Sequence, residues 1–359
     1  MSKVKLGEVA KEHKETCRDN KDGYPVVGLE HLVPEEVTLT AWDEGCDNTF
    51  TKMFRKGNVL FGRRRAYLKK AAVAPFDGIC SGDITVIEAI QDRILPELLP
   101  FIIQNDDLFD FAVGKSAGSL SPRVKWEHLK NYEFELPDMD KQRELAELLW
   151  AMNATKKSYQ KLIAATDELV KSQFMEQFGS TEKVPLEELA TIIMGQSPIS
   201  DSYNTEGMGV PFYQGSGEFT DKYVGDGMFC TAPTRMAKAR DVLMSVRAPV
   251  GTVNITQKDC CIGRGLAAIR SKVSAEYNEY FLYAFRAMAD MLGSMGHGST
   301  VLSINKNELH ELLMPNASLP EQISFVTFAQ QSDKSKFELE QALSELTATY
   351  KRIIKENLG

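Results

Sequence analysis

The sequence predicts an α+β protein with an internal repeat. Two α/β heads are separated by two long antiparallel helices that form an intramolecular coiled coil, giving the chain a pseudo-two-fold order. Three observations carry this. The stretch from Asp138 to Gly179 contains no Pro or Gly before its last residue, and apolar residues recur at Leu145, Leu149, Met152, Tyr159, Ile163, Val170 and Phe174. That 3–4 spacing is a heptad seam. A second seam ends the chain, at Ile323, Val326, Ala329, Leu339, Leu343, Leu346, Tyr350 and Ile353. Finally, the two stretches match at a shift of 180 positions: Asp138 with Ser318, Gln142 with Gln322, Phe178-Gly179 with Leu358-Gly359.

A helix of about 40 residues is about 60 Å long, against roughly 8–20 residues for an ordinary globular helix. Each stretch is therefore a rod. Asp138 is placed to cap the first. Ser318 and Glu321 form a capping-box pattern ahead of the second, in which the hydroxyl accepts from one orphan N–H and the Glu carboxylate from another. The first rod carries the chain from head to head, and the second must return along it to bury its seam. The expected boundaries are 1–137 for the first head, 138–180 for the central helix, 181–317 for the second head and 318–359 for the C-terminal helix.

The heads repeat in the same order. Residues 3–10, KVKLGEVA, match 183–190, KVPLEELA. YPVVGLEHL (24–32) faces VPFYQGSGEF (210–219), each a short strand entering a loop. KGNVLFGRRRAYLKKAAVAP (56–75) faces ARDVLMSVRAPVGTVNIT (239–256), each a hairpin with basic residues at its tip. GICSGDITVIEA (78–89) faces CCIGRGLAAIRS (260–271), each a Gly turn leading into a strand. Helical stretches at 93–113 and 276–292 follow, then the Gly/Ser loops VGKSAGSL and MGHGSTVL, then a helical turn and a strand to proline. A head of about 138 residues is a comfortable domain size.

Composition bounds the class. Hydrophobic content of 43% and charged content of 26% are those of a soluble globular chain. No apolar run approaches the roughly 20 residues of a membrane span, and the N-terminus lacks a signal-peptide core. Six scattered cysteines without a Cys-x-x-Cys pair read as reduced thiols of a cytoplasmic protein. The net charge of −8 argues weakly against non-specific nucleic-acid binding, because a basic face can coexist with an acidic remainder. GKS at 114–116 is no P-loop, since Phe109 stands where the upstream Gly is required. The five histidines lack ligand spacing, so no metal site is expected, and no adenine-methylation motif or Gly-rich loop for S-adenosylmethionine is found.

The duplicated layout resembles the specificity (S) subunit of Type I restriction–modification systems. RDVLMSVRAPVGTVNI (240–255), CIGRGLAAI (261–269) and GSTVLSINKNELHELLMPNASLPEQ (298–322) carry the resemblance most strongly. In the first half, KGNVLFGRRRAYLKKAAV departs from the pattern at two places: Asn58 stands where Asp is usual and Lys69 where Gly is usual. The resemblance implies a non-catalytic subunit with two target-recognition domains. Each reads one half of a bipartite double-stranded DNA target, while the helices fix the spacing and dock two adenine methyltransferase subunits. It further implies that cofactors belong to the partners: S-adenosylmethionine for methylation, and ATP with Mg²⁺ for a motor–nuclease subunit. On this reading the outward face of the first rod, with Lys156, Lys157, Lys161 and Glu168, is the docking surface.

Candidate DNA contacts follow from chemistry, since Arg can grip phosphate or pair with guanine. In the first head they are Arg63, Arg64, Arg65, Tyr67, Lys69 and Lys70 on the hairpin tip, with Lys115, Ser116, Arg123 and Lys125 on the loop beyond. In the second they are Arg247 and Arg264, then Lys238, Arg240, His297 and Ser299. Tyr213 and Gln214 either join them, Gln being able to read adenine, or hydrogen-bond locally. Two other readings compete: an enzyme with a fused recognition domain, which lacks catalytic motifs and spare length, and a coiled-coil scaffold, which leaves the basic hairpin tips without a role.

Overall fold

The computed structural model describes residues 2–17, 21, 23–44, 48–296 and 303–359. His297 and Ser299 lie outside the described residues. The chain divides into two units, Met1–Gln160 with Gln341–Gly359, and Lys161–Glu340. Each is a head together with stretches of both long helices.

In the first unit a four-stranded antiparallel sheet runs in the order Ala10–Glu12, Ile84–Ala89, Val59–Gly62, Ala71–Val73. The hairpin pairs Val59 with Val73, Leu60 with Ala72 and Phe61 with Ala71. Beside it a three-stranded sheet places Gly78–Cys80 between Val26–Val27 and Lys52–Phe54. The second unit repeats this plan. Ala190–Met194, Leu266–Ser271, Val242–Ser245 and Val253–Ile255 form its four-stranded sheet. In its companion sheet Cys260–Ile262 pairs with Val210–Tyr213 and Met236–Ala237. The sequence shows one strand in each of 78–89 and 260–271; the fold has two, because each apolar triplet before the Gly turn pairs in the neighbouring sheet.

The helical stretches are broken where the sequence reads them as continuous. In the first unit they are Leu99–Ile103 and Asp106–Gly114. The Asn105 side chain accepts from the Asp107 amide at 3.1 Å and so starts a new helix. In the second they are Asn278–Ala287 and Ala289–Met295, parted at Met288. Both cover the buried face of the four-stranded sheet and close its core, with Phe61 stacked on Phe109 in the first unit.

The departures at 58 and 69 have local explanations. Asn58 accepts from the Arg55 amide at 2.8 Å, and Asp241 accepts from the Lys238 amide at the same distance, so either residue makes the turn. The strand register sets Asp241 opposite Arg270, which grips it through two bonds of 2.7 and 2.6 Å. In the first head the same register sets Asn58 opposite Glu88, and a second carboxylate there would face like charge. Lys69 has φ 51°, the left-handed region that Gly251 occupies at φ 84° in the other head. The loop therefore keeps the glycine conformation with a lysine, at a cost of about 1–2 kcal/mol.

The long helices are Met139–Phe178 and Leu319–Leu358, 40 residues each. Asp138 caps the first by accepting from the Lys141 amide at 3.0 Å. At Ser318 the box is made differently from the expectation. Glu321 accepts both the Ser318 amide at 2.9 Å and its hydroxyl at 2.6 Å, so the hydroxyl donates to a carboxylate where it was expected to accept. The repeated glutamines lock each helix to its head: the Gln142 amide donates to Pro137 O and the Gln322 amide to Ala317 O, both at 2.9 Å.

Within each unit the helices run antiparallel. In the first, Leu149 shares a core with Ile354, while Lys156 lies by Thr347. In the second, Asp167 pairs with Lys336 and Phe174 packs on Phe325. The seam is tight only where a helix meets a head. Leu145, Leu149, Phe174 and Phe178 are buried, whereas Met152, Tyr159, Ile163 and Val170 are half-buried. Ile323, expected in the second seam, is 52% exposed, and Phe325 takes the inward place. No helix among the described residues is long and apolar enough to cross a membrane.

Candidate nucleic-acid interface

The strand residues of the first hairpin are apolar or glycine and all but the half-buried Val73 are buried, so its charge is confined to the tip. Arg65 (φ 54°) and Lys69 flank a single turn, Ala66–Leu68, whose Ala66 is buried. A second segment, 121–124, hydrogen-bonds across this tip. The Arg65 amide donates to Pro122 O at 2.8 Å, and the Val124 amide to Arg63 O at 2.9 Å.

These backbone bonds bring Arg63, Arg64 and Arg123 together around one carboxylate, with Arg65 on the same tip. Arg123 donates to Asp83 through Nε at 2.7 Å and Nη2 at 3.2 Å. Arg64 donates from Nε to Ser121 Oγ at 2.5 Å and reaches Asp83 from Nη1 at 3.5 Å. Arg65 is exposed. Arg63 is half-buried, and its Nε has no partner among the described residues. Four guanidinium groups against one carboxylate leave a net charge of +3 on a small surface. The Arg123 guanidinium beside Asp83 holds that carboxyl below the ordinary aspartate range, and Arg123 is raised in turn. A depressed carboxyl contributes stability above its unfolded value and loses it only as pH falls through the folded one. The clamp is therefore intact at neutral pH.

The other candidates of the first head separate from this cluster. Lys69 pairs with Asp106 at 2.5 Å, and Lys70 donates to Leu29 O at 2.8 Å. Both are turned back into the head because the three-residue turn reverses the chain after Arg65. Ser116 donates to Ala112 O at 2.8 Å and so closes its helix, leaving no hydroxyl proton for a phosphate. Lys115 lies 5.7 Å from the Phe111 ring centre. Tyr67, 55% exposed, and Lys125, also exposed, stay available.

In the second head Gln214, Arg247 and Arg264 line one cleft of about 290 Å³, with Ser197, Ser216 and Ser245. The Arg264 amide is anchored to Ser197 Oγ at 3.4 Å. Tyr213 is not part of it. Its hydroxyl donates to Gly225 O at 3.1 Å, the ring is buried, and burial raises the phenol. Alternation along the strand decides this, one residue facing the core and the next the cleft. Lys238 and Arg240 also lie elsewhere, since they precede the strand Val242–Ser245 and Arg247 follows it. Four residues of strand separate the two ends by roughly 13 Å. Lys238 is paired with Asp259 at 2.9 Å, and Arg240 is exposed.

The two tips share a backbone frame. Arg63 N donates to Asp83 O at 3.0 Å, and Val246 N to Gly265 O at 2.9 Å. Val124 N donates to Arg63 O, and Ile304 N to Val246 O, each at 2.9 Å. Arg64 bridges Arg123 as Arg247 bridges Ser303. On this common frame the side chains differ: Arg63, Asp83 and Arg123 in one head, Val246, Gly265 and Ser303 in the other. Sequence reading missed Asp83, Ser121 and Ser197. The available signal was an acidic or hydroxyl residue in each loop predicted to meet an arginine tip. Among the described residues no cluster of His, Cys, Asp and Glu is arranged for a metal. Cys80 and Cys260 are fully buried, and burial pushes their thiols up to about 12 and about 11.

The family model of the Type I restriction modification DNA specificity domain matches residues 1–165 and again 180–347. The chain belongs to this family. A specificity-family relative from Methanocaldococcus jannaschii, provisionally named the type I restriction enzyme MjaX specificity subunit, is 28% identical, with 86% of this chain and 80% of the relative covered. Among solved structures, a chain from work on complex assembly and conformational transition of the type I R-M system is 29% identical. It aligns with a TM-score of 0.67 over 99% of this chain and 97% of that one. The Type-I restriction-modification system S subunit from M. genitalium is 13% identical and shares the fold, with a TM-score of 0.60 over 100% and 96%. Each match spans one head and runs on into the long helix that follows it.

Proposed function

We infer that this chain is the DNA sequence-specificity subunit of a Type I restriction–modification complex, with each head reading one half of a bipartite duplex target. The observation that carries this is the common tip frame bearing different side chains. A scaffold needs no such variation, whereas two half-sites of different sequence require it. Phosphate contacts would come from the exposed arginines, and base contacts from those fixed in place.

The chain itself supplies recognition, and its partners supply chemistry. Two adenine methyltransferase subunits would bring S-adenosylmethionine, and a motor–nuclease subunit ATP and Mg²⁺. The paired helices would set the spacer between half-sites, since packed helices hold phase where a flexible linker does not. Expressed with the adenine methyltransferase subunit of the same genome in a methylation-free host, the chain should yield one bipartite methylated motif. Four residues inserted within 153–172, about 6 Å of helix, should lengthen the spacer by roughly two base pairs and leave both half-sites unchanged. An altered half-site with the original spacer would contradict this.

We place the docking face on a narrower part of the first rod than the sequence reading did. Lys156 reaches Glu35 O at 3.4 Å, and Lys157 lies 3.8 Å from Glu36, so both are drawn to the first head. Leu162 and Leu169, one heptad apart and each 51% exposed, offer an apolar outward stripe beside Lys161 and Glu168. An L162D/L169D exchange should abolish co-purification of the methyltransferase subunit while leaving the melting temperature within a few degrees; retained co-purification would clear this face of the role.

A further inference from the structure

We propose that Asp83 is a specificity-positioning residue, whose carboxylate aims Arg123 and Arg64 at base edges and keeps them from settling on the nearest phosphate. The proposal rests on the reading of the first head as a DNA reader. Asp83 occupies both Nε and Nη2 of Arg123 and one Nη of Arg64, and Ser121 takes the Nε of Arg64. Among the described residues, Arg123 Nη1 and Arg64 Nη2 make no hydrogen bond to the protein. The side chains of Arg123 and Arg64 are 41% and 39% exposed, while Asp83 beneath them is 20% exposed. The carboxylate is thus the less exposed end of a clamp whose arginines are the more exposed end.

The physical consequence is specific. A loose guanidinium is a mobile point charge on a long stem, and the phosphates of any duplex satisfy it. One gripped through two bonds loses that freedom before DNA arrives, so its remaining donors can match one base edge. The carboxylate also removes one unit of positive charge from the tip. It therefore lowers affinity for every sequence while raising discrimination among sequences. The second head has Gly265 at the corresponding frame position, which offers no carboxylate, so the effect belongs to one half-site.

The test uses the assembled complex of this chain with its methyltransferase subunit, and a duplex carrying the motif that the wild-type complex methylates. D83N is nearly isosteric and leaves the Asp83 carbonyl, which accepts from Arg63 N, in place. D83N should bind a duplex lacking the motif more tightly, with a salt slope steeper by roughly 1. Discrimination against single-base changes should fall about tenfold or more in one half-site and stay unchanged in the other. The relaxed half-site should be the one that R123A relaxes. D83E, which keeps the carboxylate, should recover part of the discrimination. Unchanged discrimination, equal loss in both half-sites, or a parallel fall in specific and non-specific affinity would each overturn the proposal. A wild-type complex that shows no bipartite motif would overturn the function reading itself, whereas a normal motif with unaltered D83N overturns only the role of Asp83.

Discussion

Replacing Phe325 with alanine should destabilise the second unit by about 3–5 kcal/mol. Phe325 is 1% exposed. Its ring lies 5.4 Å from Phe174, 5.5 Å from Phe178 and 6.3 Å from Tyr283, all edge to face. These four rings come from the central helix, the C-terminal helix and the head, so one side chain joins three elements. Its removal leaves a cavity in the middle of the unit's largest apolar cluster, where rings from three elements cannot all collapse inward. Chemical denaturation followed by far-UV circular dichroism measures this. The first unit has a separate core that contains no Phe325 contact, so its transition should stay where it is. A loss below about 1 kcal/mol would show that the aromatic junction is not what holds the second head to its helices.

Alanine at Arg63, Arg64, Arg65 and Arg123 together should weaken binding of the assembled complex to target DNA roughly 100-fold or more. The tip would change from +3 to −1, because Asp83 stays behind. The plot of log affinity against log salt should lose about 3 from its slope, as several phosphate contacts go at once. Stability should change little, since the ion pairs of Arg64 and Arg123 with Asp83 are part-exposed and such surface pairs contribute at most about 1 kcal/mol each. Titration of a labelled duplex at several salt concentrations distinguishes the outcomes. An unchanged slope would remove this tip from the interface, whatever the role of the chain as a whole.

The architecture was legible in the sequence because its causes are local or periodic. A heptad seam without Pro or Gly makes a long helix wherever it sits, as Met139–Phe178 and Leu319–Leu358 show. A repeat of 180 positions implies a repeated fold, and the duplicated hairpins, glutamine locks and tip frames follow from it. The arginine tips were also visible, since strands that bury every side chain leave their charge to the turn.

What the tertiary structure alone decided was which of these charges stay free. Lys69, Lys70 and Lys238 look like Arg64 and Arg247 along the chain, yet they are spent on Asp106, Leu29 and Asp259. Lys156 and Lys157 are drawn to a head for the same reason. Asp83 becomes part of the site because antiparallel pairing sets Ile84 beside Gly62 and so carries its neighbour to the arginine tip, which no reading of 78–89 by itself contains. Periodicity determines which face of an element is buried. Only the packing of distant segments determines which donor each carboxylate receives, and that choice separates the arginines gathered at the tips from the lysines used by the fold.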